Sequence, residues 1–198
     1  MTFSDFTLSD ALKTFRLSLN EDTELFTPTS DREPSRLLVE TLEINAPLAF
    51  ALNTEKARSG FMVAPILAEI YRARQGKIKI FSGGMFNVDS SSGLAGSFDF
   101  LLTHSPSQLV IESPVLSIVE ARQENVPGGY GQCVATMLAE QRFNRKNNAP
   151  IETVYGAVTT GDVWKFLSLK GTDVHIDRET YYLDRIERLL GVLWRATE

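Results

Sequence analysis

The sequence predicts an α/β layered domain, with a mixed central β-sheet flanked by α-helices. Three observations carry that prediction. After about residue 52, segments of helical and strand period follow one another as helix, three strands, helix, two strands, helix. Two of the helical segments, 53–74 and 131–144, keep apolar residues on a stripe. The 198 residues are 43% hydrophobic and 23% charged, which suits one globular domain rather than a disordered or fibrous chain.

The elements are read in chain order. Leu8, Leu12, Phe15 and Leu19 recur at helical spacing, with Ser9 or Asp10 available as a cap. Residues 20–34, rich in Asp, Glu, Thr, Ser and Pro, read as an exposed connection, and 37–52 as an apolar segment broken by Pro47. Residues 53–74 read as a helix capped by Asn53 or Thr54, with Glu55 in its first turn. Val63, Ile66, Leu67 and Ile70 form its buried stripe, and Pro65 marks a kink or a later start.

Residues 77–87 and 94–103 read as a hairpin around a turn at 89–93. The pair Gly83–Gly84 reads as a bulge within it. A third strand follows at 115–122, a loop at 126–130 and a helix at 131–144, with Val134, Met137 and Leu138 on one face. Strands at 152–159 and 164–169 flank a tight turn at 160–162, and a helix at 183–196 carries Leu183, Ile186, Leu189, Leu190 and Leu193. The expected organisation is a single domain over 1–198: an N-terminal extension (1–52) packed on a core (53–170), then a C-terminal helical segment (171–198).

Composition narrows the chemistry. With one cysteine, Cys133, and two histidines, His104 and His175, an internal disulfide, a His-rich metal cluster and a four-thiolate zinc site are excluded. A metal would have to be held mainly by carboxylates, which selects magnesium, manganese or calcium. The N-terminus lacks a secretory pattern, and no apolar run approaches the ~20 residues of a membrane helix, so the cytoplasm is the expected compartment and no membrane partner is expected. A net charge of −5 does not advertise nucleic-acid binding. Local basic groups stand out: Lys56, Arg58, Arg72, Arg74, Lys77 and Lys79, then Arg142, Arg145 and Lys146. They read as solvated surface or as a polyanion-binding stretch.

The chemistry-bearing residues lie in the second and third strands. In GSFDFLLT, period two puts Phe98, Phe100 and Leu102 on one face and Asp99 with Leu101 on the other. In LSIVEARQ, Leu116, Ile118, Glu120 and Arg122 share a face. An acid and a base two apart on a central strand must pair, bind a metal or reach solvent. Two readings stay open: Glu120 and Arg122 form an ion pair at the sheet edge, or Asp99 and Glu120 converge on a divalent cation while Arg122 holds a phosphate.

The segments GSFDF and VEAR, with Glu120 21 residues after Asp99, then GYGQCVATMLAEQRF and YGAVTTGDVWKF, resemble the PD-(D/E)XK nuclease superfamily, an uncharacterised single-domain branch of it. The resemblance covers roughly 53–170. It implies a restriction-endonuclease-like core and metal-dependent hydrolysis of DNA or RNA, with Mg2+ or Mn2+. It assigns Asp99 and Glu120 as metal ligands and Gln132 as an auxiliary residue. Arg122 stands where the family has its lysine. Many members also carry a glutamate on the first helix; Gly60 stands at the expected place, with Glu55 and Glu69 nearby. These departures imply an alternative, a catalytically degenerate member that binds nucleic acid or a protein partner. Cutting both strands of a duplex takes two sites, which is compatible with a homodimer.

Overall fold

The computed structural model describes residues 1–198, the side chains of Ser117 and Ile118 excepted. Its elements are helix α1 (Leu8–Phe15), strand β1 (Ser18–Thr23), helices α2 (Arg36–Leu52), α3 (Glu55–Arg58) and α4 (Ala64–Ala73), strands β2 (Lys79–Asp89), β3 (Leu94–Thr103) and β4 (Val115–Ala121), helix α5 (Tyr130–Lys146), strands β5 (Val154–Thr159), β6 (Val163–Lys170), β7 (Asp173–Asp177) and β8 (Tyr181–Tyr182), and helix α6 (Ile186–Ala196). The fold is α/β, with one mixed, open sheet between two helical layers. The sheet runs β1-β7-β6-β5-β4-β3-β2, and β8 pairs with β6. The β1–β7 and β4–β5 pairs are parallel and the others antiparallel.

Two apolar cores lie on the two faces. On one, α5 packs with Phe3, Phe6 and Ala11 from the chain's start against Leu101, Val158, Leu167 and Leu169. On the other, α4 and α6 cover Phe100, Leu102, Val119, Ala157 and Phe166. Gly156 lets α5 approach the sheet closely, since a Cβ there would lie 2.5 Å from Cys133 Sγ. Asn144 pins the far end of α5: its side chain accepts from Val115 N and donates to Val115 O, both at 2.7 Å.

Several expectations need correction. The segment read as one helix over 53–74 starts at Glu55 and contains a π-helical stretch, Ser59–Val63, just before Pro65. Widening the turn accommodates a proline that cannot donate to the preceding turn. Pro47 does not break α2, which spans it. The sheet has eight strands where five were expected. The first 52 residues contribute β1, which pairs with β7 at the sheet edge, and residues 171–198 contribute β7 and β8 as well as α6.

Face assignments also change. Leu116 was expected beside Glu120. Leu102 pairs with Ser117 and Thr103 with Val115, leaving Leu116 as an extra residue that packs in the α4–α6 core. The orientation expected for Ile118 concerns a side chain outside the described residues. Phe98 parts from Phe100 and Leu102 and joins the α5 core. The basic stretch is largely engaged: Arg58 bonds Asp162, Arg72 bonds Glu69, Arg74 stacks on Trp194 and bonds its carbonyl, and Lys79 bonds the Gly76 carbonyl.

Candidate functional site: a carboxylate–amide–guanidinium cluster

Asp99 lies at the middle of the hairpin and Glu120 near the end of β4. The β3–β4 ladder pairs Leu101 with Ile118 and Phe100 with Val119, so its next step sets Asp99 across from Glu120. Asp99 is held there by an internal bond: its Oδ2 accepts from Ala121 N at 2.8 Å. Arg122 follows directly, its own N–H donating to Thr159 O at 2.7 Å, so the end of β4 is anchored to β5.

Gln132, in the first turn of α5, joins the acid to the base. Its Nε2 donates to Glu120 Oε2 at 2.7 Å, and its Oε1 accepts from an Arg122 terminal nitrogen at 2.7 Å. Among the described residues no direct ion pair links Glu120 and Arg122, so the edge ion-pair reading of these two fails on geometry. The start of α5 is tightly seated. A Cβ on Gly131 would lie 2.2 Å from Phe6 O, and one on Gly129 would lie 2.5 Å from Val158 Cγ1 and 3.0 Å from Arg122 Nε. Only glycine admits the chain at both positions, and the second forms the roof over Arg122.

Glu120 is 0% exposed, and its Oε1 has no hydrogen-bond partner. Burial drives its pKa well above the ordinary carboxylate range, the Asp99 charge adds to this, and Arg122 only partly offsets it. Asp99, half-buried, is also raised by burial, against the opposing pull of the Ala121 N–H and Arg122. Glu120 and Asp99 therefore face each other as a coupled pair, the neutral Glu120 placed to donate to the Asp99 carboxylate, and a cation that displaced this proton would meet two oxygen donors. The donors are hard oxygens, the kind that Mg2+ or Mn2+ would take. Among the described residues no group of three His, Cys, Asp or Glu side chains converges to hold a metal, so Asp99 and Glu120 would be its only carboxylate ligands of that kind.

Glu55 completes the electrostatics. Its pKa is raised by burial and by Asp99 and lowered by Arg122, so it belongs to the same field. Asn53 fixes that segment: its carbonyl accepts from Gln123 Nε2 at 2.8 Å and its Oδ1 from Arg58 at 3.2 Å. Glu69 has a different task. It accepts from Ser35 N at 3.1 Å, from Ser35 Oγ at 2.8 Å and from Arg72 at 2.7 Å, and so ties α4 to the start of α2. Sequence reading left Glu55 and Glu69 unresolved. The distinguishing signal was the Thr54 cap, which starts a new helix at Glu55.

A surface cleft of about 370 Å³ opens beside the cluster, lined by Arg122, Gln123, Glu124, Asn125 and Gly128. Cys133 is fully buried, and burial pushes its thiol pKa well up, so it stays protonated core. Glu140, which the sequence reading passed over, is 0% exposed with both carboxyl oxygens unpartnered. It lies a helical face along from Cys133 and Met137, a position with no sequence signal beyond its charge.

No protein-family model, curated protein or solved structure matches the chain. Among the described residues no helix is long and apolar enough to cross a membrane.

Proposed function

We propose that this protein is a divalent-metal-dependent phosphodiesterase acting on DNA or RNA, with a restriction-endonuclease-like core. One observation carries the proposal: the wholly buried Glu120, with one oxygen unpartnered, is set beside Asp99 and tied through Gln132 to Arg122. The order α4, β2–β3 hairpin, β4, α5, β5, with β4 and β5 parallel, supports the core assignment.

Asp99 and Glu120 would hold Mg2+ or Mn2+, which supplies Lewis-acid polarisation of a phosphoryl oxygen. Arg122 lines the cleft, and a phosphodiester oxygen there would accept from its guanidinium. Gln132 sets the spacing of acid and base by holding each through one end of its amide. Glu55 adds negative charge that favours a cation over a lone phosphate.

A second reading rests on Arg122 itself. A guanidinium cannot give up a proton at working pH, so it cannot replace a lysine that acts on the attacking water. On that reading the protein binds nucleic acid without cutting it. The test is incubation of the purified protein with plasmid, single-stranded DNA and RNA in Mg2+ or Mn2+. Cleavage that vanishes in Asp99→Ala supports the enzyme. Cleavage that persists in Asp99→Ala is contamination. Salt-sensitive binding without cleavage supports the second reading.

A further inference from the structure

The β2–β3 hairpin changes faces halfway along, and it does so at Asp99. Below that level, Ile78 and Ile80 of one arm and Phe100 and Leu102 of the other face the α4–α6 core, while Phe81 and Leu101 face α5. Above it, Phe86, Val88, Leu94 and Phe98 face the α5 core instead. Even-numbered positions thus move from one side of the sheet to the other on both arms. The register is unchanged across the swap: Ser82 pairs with Phe100 and Gly84 with Phe98. The pair between them, Gly83 and Asp99, is missing from the ladder. Gly83 has φ +66°, in the left-handed region that an ordinary strand residue avoids. A Cβ there would meet nothing within 4 Å, so no packing demands the glycine; its backbone conformation does.

We infer that Gly83 is a positioning residue for the Asp99–Glu120 site: its left-handed backbone breaks the hairpin ladder beside Asp99 and directs Asp99 onto Ala121 N, opposite Glu120. The inference rests on the proposed metal site for its function, but its geometry stands apart from it. With no ladder pair holding its backbone on the β2 side, Asp99 sits where its side-chain Oδ2 accepts from Ala121 N at the end of β4. The same break puts Phe86 and Phe98 in the apolar core with Phe3, Phe6 and α5. Neither arm gains a residue here, so the bulge expected at Gly83–Gly84 is instead a change of backbone conformation within an unbroken register.

The test compares Gly83→Ala with Gly83→Asn in the full chain. Asparagine tolerates left-handed backbone better than alanine, and a Cβ at this position meets nothing within 4 Å. Two quantities are read. Hydrogen exchange of the Ala121 N–H, in metal-free protein, reports the bond to Asp99 directly. Mn2+ affinity by calorimetry reports the site, and unfolding midpoints show that both variants fold. The expected result is faster Ala121 exchange and a loss of Mn2+ affinity of roughly tenfold in Gly83→Ala, with Gly83→Asn close to wild type. Unchanged Ala121 exchange in Gly83→Ala, or equal effects in both variants, overturns the inference. If exchange responds as expected but the wild type binds no Mn2+, Gly83 positions Asp99 and the metal reading is what fails.

Discussion

Gln132 and Glu120 meet at 2.7 Å, amide nitrogen to carboxylate oxygen, inside a sheet–helix junction where, among the described residues, no cationic side chain bonds the acid directly. The same amide holds Arg122 with its other end. Removing it leaves one buried carboxylate oxygen and one guanidinium without partners. Gln132→Ala is expected to cost about 1–3 kcal/mol in urea unfolding, and to lower any nuclease activity further than the stability loss explains. A stability unchanged by the substitution would show that the bridge is not made.

Buried acids set the pH dependence of stability. Burial raises the pKa of both Glu120 and Glu140 well above their ordinary 4.5. The folded state then binds protons more tightly than the unfolded chain. Stability from these groups is full below about 4.5 and falls as pH rises from there through their raised folded values. Metal-free protein should therefore lose stability with rising pH in that window. Glu140→Gln should flatten the slope, as read from urea midpoints across the pH series. An equal slope in both proteins would contradict the assignment of Glu140 as a neutral buried acid.

Arg122→Lys separates the enzyme from the degenerate binder. Lysine restores a group that can exchange a proton and fit a smaller space. On the degenerate-binder reading, cleavage of plasmid in Mn2+ appears or rises with the substitution, whereas on the enzyme reading the wild type already cleaves. No gain over a wild type that does not cut would show that more than the missing lysine amine keeps the site from cutting.

Glu55 and Glu69 should part company. Glu69→Ala removes the acceptor of two Ser35 donors at the start of α2 and should cost about 1–2 kcal/mol of stability while leaving Mn2+ affinity unchanged. Glu55→Gln, at an exposed position, should leave stability nearly unchanged and weaken Mn2+ binding several-fold through the lost charge. Reversed effects, measured by unfolding and calorimetry, would move the first-helix acid to Glu69.

Much of the fold was legible where hydrophobic period was strong. The expected second hairpin strand at 94–103 coincides with β3, and α5 extends the expected helix by one residue at its start and two at its end. The strands that escaped notice, β1, β7 and β8, are short, and β1 is polar: Ser-Leu-Asn-Glu-Asp-Thr is exposed along nearly its whole length at the sheet edge. No alternation marks such a strand, because only its partner β7 calls for it. At the site, strand period alone set Asp99 with Leu101, and the ladder places Asp99 across from Glu120. What period could not reveal were two irregularities: the extra residue at Leu116 and the face swap at Gly83. Both depend on backbone conformations that the neighbouring strands impose. Gln132 was reached through resemblance, and its bond to each side of the cluster required the close seating of α5 on Gly156.

The central claim is that Asp99 and Glu120 together hold one divalent cation. Isothermal titration of Mn2+ into metal-free wild type, Asp99→Asn and Glu120→Gln tests it most directly. The account predicts one site per chain in the wild type and none in either variant, with all three proteins folded. Absence of binding in the folded wild type, or binding in either variant as tight as in the wild type, would rule out the shared site.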